Sequence, residues 1–321
     1  VKAGLLYGPV HDDLALVEET LESLKRVDYP PLAQMMGLAL SGGGKRLRPA
    51  LALLAGSFGQ YNLELLVPLA TSVELLHSAT LVHDDVIDNA ATRRGRPTAN
   101  SLFRNSTTVM LGDYMFAHAA DLIARTGNIR AIRLFSQTLM IMAKGEIGQD
   151  LSVYDSRQDV RDYLHRIAGK TASLFAAACE GGAIVADEPE AWIQGLRLYG
   201  YNLGMAFQIV DDVLDFTGDQ EEMGKPIGSD LLQGTLTLPS LLLLERYPNN
   251  NPIQKLFVRP HRQEHLLQAV EMIRNSDIPE VSFQMAQTFN ADARRAIQIL
   301  PDSPARDTLI ELAEYVLERR S

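Results

Sequence analysis

Cysteine is almost missing from this chain. Cys179 stands alone, so an intrachain disulfide is impossible and a multi-thiolate metal site is excluded. It lies in the apolar stretch Leu174 to Cys179, where a free thiol behaves as a small core residue. A chain without disulfides suits a reducing cytoplasm. Net positive charge is missing too: 30 Lys and Arg stand against 40 Asp and Glu, a formal net charge of -10. Nucleic acid is therefore not an expected main partner, because no basic excess exists to neutralise a phosphate backbone. A small phosphorylated ligand stays open, since a local cation cluster or bound metal can reverse the local sign. Long apolar runs are lacking as well. The longest candidate, Leu236 to Leu244, is interrupted by Thr237, Pro239 and Ser240, and none approaches the ~18 residues of a membrane span. No transmembrane segment is expected, and no signal peptide opens the chain. Strand signals are poor, because alternating β-branched runs bounded by turns hardly occur. Repeats of solenoid length, low-complexity segments and flexible linkers are all missing, so a single domain over residues 1–321 is expected.

What is present is a helical rhythm. Hydrophobic residues make up 46% and charged residues 22%, the balance of a globular protein with a full core. Apolar residues recur at i, i+3, i+4, i+7 over Leu14–Leu24, Leu63–Asp88, Thr108–Ala124, Ile129–Leu151, Val160–Ala178, Ala191–Phe216 and Pro279–Ile299, which predicts helices there. Gly, Pro and Asn cluster at 41–44, 90–97, 218–234 and 247–252 and mark the breaks. The expected fold is an all-α bundle of roughly a dozen helices, with functional loops at one end.

Two of these helices end in carboxylates. The segment LLHSATLVHDDVID places Asp84, Asp85 and Asp88 at the end of an apolar helix, and MAFQIVDDVLD does the same with Asp211, Asp212 and Asp215. Asp84 and Asp88 are one turn apart on one face. Like charges at this spacing destabilise a helix by a few tenths of a kcal/mol, so a compensating cation is expected. Carboxylates without Cys or HExxH-type His ligands suit a hard divalent ion, and Mg²⁺ is commonly held by few carboxylates plus substrate phosphates. The plainer reading, a solvated acidic face, fits one such cluster better than two.

A bridging metal calls for phosphate, and phosphate calls for cations. SGGGKRLRP places three glycines before Lys45, Arg46 and Arg48. Glycine allows close backbone approach, and Arg can grip phosphate bidentately. The pattern is not a Walker A loop. Arg93, Arg94 and Arg96 follow Asp88, and Lys170 and Lys225 lie at the breaks Gly-Lys-Thr and Gly-Lys-Pro. Arginines just past a helix C-terminus can also serve that terminus alone. His77 lies two turns before Asp84 on nearly the same face, whereas His83 points about 100° away and reads as structural.

Taken together, GGGKRLRP, LLHSATLVHDDVIDNAATRRGRPT, GKT, FQIVDDVLD and GKPIGSD with TLP following resemble the trans-type (E-type) prenyl diphosphate synthases, the polyprenyl synthetase group. The likeness runs from about Gly42 to Pro239. It implies a helical bundle of the isoprenoid synthase type with a central active-site cavity. It also implies a homodimer, and a reaction between isopentenyl diphosphate and an allylic diphosphate. Asp84 and Asp88 would hold two Mg²⁺ ions and Asp211 a third, with Asp85, Asp212 and Asp215 in support. Lys45, Arg48, His77 and Arg94 would bind isopentenyl diphosphate. Arg93, Lys170, Gln208 and Lys225 would surround the allylic diphosphate, with Thr171 lining the same site.

One departure stands out: such enzymes often carry Gly-Lys shortly before Thr-Leu-Pro, and here Thr235 follows Gly234. Other readings are a terpene cyclase or head-to-head condensing enzyme, which would not need Lys45, Arg48 and His77, and a non-catalytic subunit of a synthase heteromer, which should have lost part of the acidic motifs. Product length is expected to exceed twenty carbons, with a farnesyl or geranylgeranyl diphosphate synthase as the alternative. Family members that stop short commonly carry an aromatic residue four or five positions before the first acidic motif, and Thr80 and Ala79 stand there. The stripe Ala79, Leu76, Ser72 would line a tunnel for the growing chain, each turn of ~5.4 Å gating about one isoprene unit. Phe135, Leu139 and Met142 are candidates for its floor.

Overall fold

The structure is a computed structural model that describes residues 7–41, 44–93, 95–218, 226–258 and 263–319. The described chain is almost entirely helical. Its helices are α1 (Asp13–Ser23), α2 (Pro30–Leu40), α3 (Leu47–Ala55), α4 (Leu63–Ile87), α5 (Ala99–Leu102), α6 (Asn105–Arg125), α7 (Ile129–Leu151) and α8 (Val160–Ile167). A π-helical turn, Ala168–Ala172, leads into α9 (Ser173–Val185). There follow α10 (Glu190–Thr217), α11 (Ser229–Leu232), α12 (Leu238–Arg246), α13 (Pro252–Val258), α14 (Gln263–Arg274), α15 (Ile278–Ala296) and α16 (Pro304–Glu318). The strands among the described residues are one short antiparallel pair, Thr92–Arg93 with Arg96–Pro97.

The chain forms two compact units. The first takes Val1–Gln137, Leu174–Gly200 and Ile297–Leu312, and the second takes Thr138–Ser173, Tyr201–Ala296 and Ala313–Ser321. In the first, α4 is the central element, packed by α1, α3 and α6. Leu51, Leu54, Leu66, Leu69 and Leu75 are fully buried there. Asn62 caps α4 by accepting the Glu64 N–H at 2.9 Å, satisfying one of the orphan donors of a helix start. By length and composition α4 could cross a membrane, but 67% of its apolar window is buried within the protein, as in a core helix. In the second unit Tyr163, Leu203, Phe216, Leu243, Ile253 and Ile273 form the buried centre.

The predicted helix over Val160–Ala178 is divided in the structure. Asp159 and Asp162 make a capping box that starts α8, and the π turn then inserts an extra residue before α9. Glycines explain how it fits: a Cβ on Gly145 of α7 would lie 3.1 Å from the Lys170 nitrogen. A Cβ on Gly169 would lie 3.4 Å from the Ile141 carbonyl oxygen. Backbone thus packs on backbone where Lys170 and Thr171 emerge, and such π turns are frequent at functional sites.

Glu188 sits in the core of the first unit, 6% exposed. Burial pushes its carboxyl up to about 8, and the nearby Phe58 and Gly59 amides offset only part of that. The unfolded chain releases this proton above about pH 4.3, whereas the native state keeps it until pH is about 8. Native stability therefore falls as pH rises across that window. Glu188→Gln is expected to flatten this slope, raising the melting temperature by several degrees at pH 8 and by little at pH 4.5. Thermal melts of both proteins across that range measure it.

Candidate active site

Each acidic motif is built within one unit. In the first unit, α4 ends on Asp84, Asp85 and Asp88. Asp88 caps the helix, its N–H bonding the Asp84 carbonyl at 2.8 Å. Asp84 is half-buried and Asp88 exposed. Asp85 is 7% exposed and accepts the Arg93 Nε–H at 2.8 Å. Burial raises the Asp85 carboxyl above its usual range, and Arg93 pulls it part of the way back. The chain leaving α4 is pinned by the Asn100 amide, which donates to the Asp85 carbonyl at 3.0 Å and to Ala90 at 3.1 Å. Arg93 thus serves Asp85 here, while Arg94 lies outside the described residues.

Two faces of α4 separate cleanly. His77, Leu81, Asp84 and Asp88, spaced i, i+4, i+7, i+11, keep exposed surface. Ser72, Leu76, Ala79 and His83 have the same spacing and face α6. The Ser72 hydroxyl donates to the Ala119 carbonyl at 2.8 Å. His83 lies 2.9 Å from the Val109 carbonyl and packs on Gly112, where a Cβ would lie 2.1 Å from its Nε2. The stripe expected to line a tunnel is therefore the α4–α6 packing face: Ser72 and Ala79 are 0% exposed and Leu76 1%. The sequence shows only that these residues share a face; which helix covers it is a tertiary fact. Thr80 is half-buried, with its hydroxyl on the His77 carbonyl at 2.7 Å. Of the floor candidates, Phe135 and Leu139 are half-buried and Met142 buried, along one face of α7.

The basic loop before α3 divides its cations. Lys45 is exposed. Arg48 is half-buried, its guanidinium 4.7 Å from the centre of the Phe175 ring. Arg46 between them adopts left-handed backbone, φ 49°, and turns inward to Glu18 of α1 and to Glu74 of α4 at 2.7 Å. Glu74 is 6% exposed, so Arg46 neutralises a buried carboxylate and ties the loop to α4. Removing one partner of such a buried pair typically costs about 3–5 kcal/mol.

In the second unit, Asp211 is half-buried and ion-paired with Arg319 at 3.0 Å, and that guanidinium stacks 4.3 Å from the Phe207 ring. Asp212 is 3% exposed. It accepts the Tyr163 hydroxyl at 2.7 Å and the Gln208 amide at 2.9 Å. Burial pushes its carboxyl up to about 7, helped by the charges of Asp230 and Asp211 and opposed by those two hydrogen bonds. Asp215 is 0% exposed and accepts the Ser229 hydroxyl at 2.8 Å. The two motifs look alike in sequence but differ in structure, because the last carboxylate is open at Asp88 and buried at Asp215.

On the π turn, the Lys170 ammonium pairs with Glu146 at 2.7 Å. The Thr171 hydroxyl donates to Gln208 Oε1 at 2.7 Å. Lys225 lies outside the described residues. Thr235 is half-buried and its N–H bonds the Asp230 carbonyl at 2.9 Å. A cation does reach this stretch: Arg166, 8% exposed, donates to Gln158 at 2.8 Å and to the Leu236 carbonyl. Tyr163, Arg166, Glu146 and Arg319 were not singled out from the sequence. The signal for Tyr163 and Arg166 was their place inside the predicted 160–178 helix, where a polar group facing the core needs a partner.

Among the described residues, no three His, Cys, Asp or Glu side chains converge closely enough to hold a metal ion by themselves. The donor set still suits Mg²⁺. Asp84, Asp88 and Asp211 keep exposed surface and offer hard oxygens, and Mg²⁺ takes one or two carboxylates with water and phosphate completing its shell.

Comparison with known proteins identifies the family. A family profile described as polyprenyl synthetase matches residues 29–273. The chain is 41% identical over 319 residues to heptaprenyl diphosphate synthase component 2 of Geobacillus stearothermophilus, covering 99% of each. The crystal structure of heptaprenyl diphosphate synthase from Staphylococcus aureus superposes with a TM-score of 0.93 at 33% identity, covering 97% of this chain and 99% of that one. A polyprenyl synthase from Caulobacter crescentus CB15, complexed with calcium and isoprenyl diphosphate, gives 0.92 at 33% identity over 97% and 96%.

Proposed function

The chain belongs to the polyprenyl synthetase family and is a prenyltransferase, and from that premise we propose that it extends an allylic diphosphate with isopentenyl diphosphate to an all-trans polyprenyl diphosphate longer than twenty carbons. The observation that supports this best is the division of the carboxylates. Asp84, Asp88 and Asp211 keep exposed surface, while Asp85, Asp212 and Asp215 are buried against protein partners. The first three are the metal ligands of this reading, holding three Mg²⁺ ions with diphosphate, and the buried three set their backbone. Bound Mg²⁺ supplies Lewis-acid stabilisation of the diphosphate leaving group.

In this reading Lys170, Gln208, Lys225 and Arg93 hold the allylic diphosphate, and Thr171 lines the same site. Lys45, Arg48, His77 and Arg94 hold isopentenyl diphosphate. The allylic C–O bond breaks with its electron pair going to diphosphate, and the fixed cations stabilise that charge. The double bond of isopentenyl diphosphate supplies the electron pair of the new C–C bond. A proton then leaves the adjacent carbon for the departing diphosphate, so no dedicated side-chain base is required. The enzyme acts as a homodimer in the cytoplasm on this reading.

The word "component" in the name of the Geobacillus relative makes activity of the purified chain alone the deciding test. With Mg²⁺, an allylic primer and isopentenyl diphosphate, it is expected to give a product longer than twenty carbons by mass spectrometry. No turnover from the folded chain alone would favour a subunit role. Lys45→Ala is expected to raise the KM for isopentenyl diphosphate roughly tenfold, as for one charged hydrogen bond, and to leave primer KM within twofold. An effect on primer KM alone would exchange the two pockets.

A further inference from the structure

Three hydrogen bonds in the second unit run in series from the core to the π turn. Tyr163 Oη donates to Asp212 Oδ2 at 2.7 Å. Gln208 Nε2 donates to Asp212 Oδ1 at 2.9 Å. Thr171 Oγ1 donates to Gln208 Oε1 at 2.7 Å. The buried end is closed: Tyr163 is 0% exposed and Asp212 3%. The other end is half-buried Gln208 and Thr171, 8% exposed, the two residues assigned above to the allylic site.

With Asp212 ionised, the order of donors and acceptors in this series is fixed. A carboxylate accepts and does not donate, so the side of the Gln208 amide that faces Asp212 must be the NH₂. Its Oε1 then faces Thr171. A hydroxyl carries one proton, and Thr171 spends it on Oε1, which leaves the oxygen lone pairs as what Thr171 can present. Were the Gln208 amide to flip, Thr171 would accept from Nε2 and present its proton instead. Those two states differ in the sign of the dipole offered to whatever lies beside Thr171. Asp212 chooses between them, and Asp212 is held in place by Tyr163.

We propose that Tyr163 and Asp212 are positioning residues: together they lock the amide orientation of Gln208 and thereby fix Thr171 with its oxygen lone pairs, and not its proton, toward the allylic substrate. An allylic group losing diphosphate becomes electron-poor, so an outward lone pair favours it and an outward proton opposes it. The assignment also gives Asp212, 3% exposed and accepting one protein hydrogen bond on each oxygen, a job that differs from metal binding. It rests on the reading that Gln208 and Thr171 line the allylic site.

The test is a double-mutant cycle on the full chain. Tyr163→Phe, Gln208→Ala and the double variant are assayed for kcat and KM of the primer, KM of isopentenyl diphosphate and the Mg²⁺ concentration at half-maximal rate. Tyr163→Phe is expected to lower kcat/KM for the primer about tenfold, the effect of one hydrogen bond. It should leave isopentenyl diphosphate KM and the Mg²⁺ requirement unchanged. In the Gln208→Ala background the same substitution is expected to cost nothing further. Asp212→Asn, which can offer Gln208 either an oxygen or an NH₂, should show the same pattern and covers the case of poor folding by Tyr163→Phe. Equal fold-losses in both backgrounds would overturn the lock while leaving the site assignment standing. A raised Mg²⁺ requirement in Asp212→Asn would return Asp212 to the metal and overturn it too. Wild-type primer kinetics in Gln208→Ala would overturn the site assignment and the lock together.

Discussion

Asp84→Ala and Asp211→Ala are each expected to lose two to four orders of magnitude in kcat at saturating substrates, about 3–5 kcal/mol of barrier, while keeping the helical circular dichroism of the parent. The contrast inside each motif sharpens this. Asp84 and Asp211 are only half-buried, so truncating them removes the proposed ligand atoms and little packing. Asp215 is 0% exposed and accepts the Ser229 hydroxyl. Truncating it strands a buried donor, and Asp215→Ala is expected to lower the melting temperature as well as activity. Near-normal turnover of either Asp84→Ala or Asp211→Ala at saturating Mg²⁺ would remove the metal assignment.

Product length is expected to respond to position 80 and not to position 79. Thr80 is half-buried and lies one turn before Asp84, so Thr80→Tyr puts an aromatic ring beside the exposed face of His77, Leu81 and Asp84. Mass spectrometry is expected to show products cut to fifteen or twenty carbons with turnover retained. Ala79 is 0% exposed on the face that carries Ser72 and His83 onto α6. A tyrosine there overpacks the helix interface at a cost of about 1–3 kcal/mol or more, so Ala79→Tyr is expected to lose stability. A folded Ala79→Tyr enzyme making shortened products would restore the buried stripe as the tunnel wall. Unchanged product length from active Thr80→Tyr would remove position 80 from length control.

The long helices were legible because their apolar residues recur at helical spacing over many turns. The spacing over Leu63–Asp88 and Ile129–Leu151 gives α4 and α7 within a residue. Helix α3 was not legible: Pro49 through Ala55 are all buried, and a helix apolar all round carries no period. The break inside 160–178 was missed because it depends on α7, whose Gly145 makes room for the π turn. In the candidate site the sequence identified the residue types and their helical faces. It could not say that Arg46 turns inward to Glu74 while Lys45 stays exposed, since a helix start with left-handed φ decides that. Nor could it separate Asp88 from Asp215, whose motifs read alike and whose surroundings do not.

The lone thiol gives this protein a chemical clock. Cys179 is fully buried in α9, in the first unit, and burial raises its ionisation far above the usual thiol range. An alkylating reagent needs both access and thiolate, so it reaches the sulfur only when that unit opens. With a single site, mass spectrometry counts one modification and its rate reports the opened fraction directly. A ligand that binds only the closed form slows the clock by the factor 1 + [L]/Kd. Analogues of isopentenyl diphosphate, whose proposed residues Lys45, Arg48 and His77 lie in that same unit, can therefore be ranked by protection of the thiol, without any turnover.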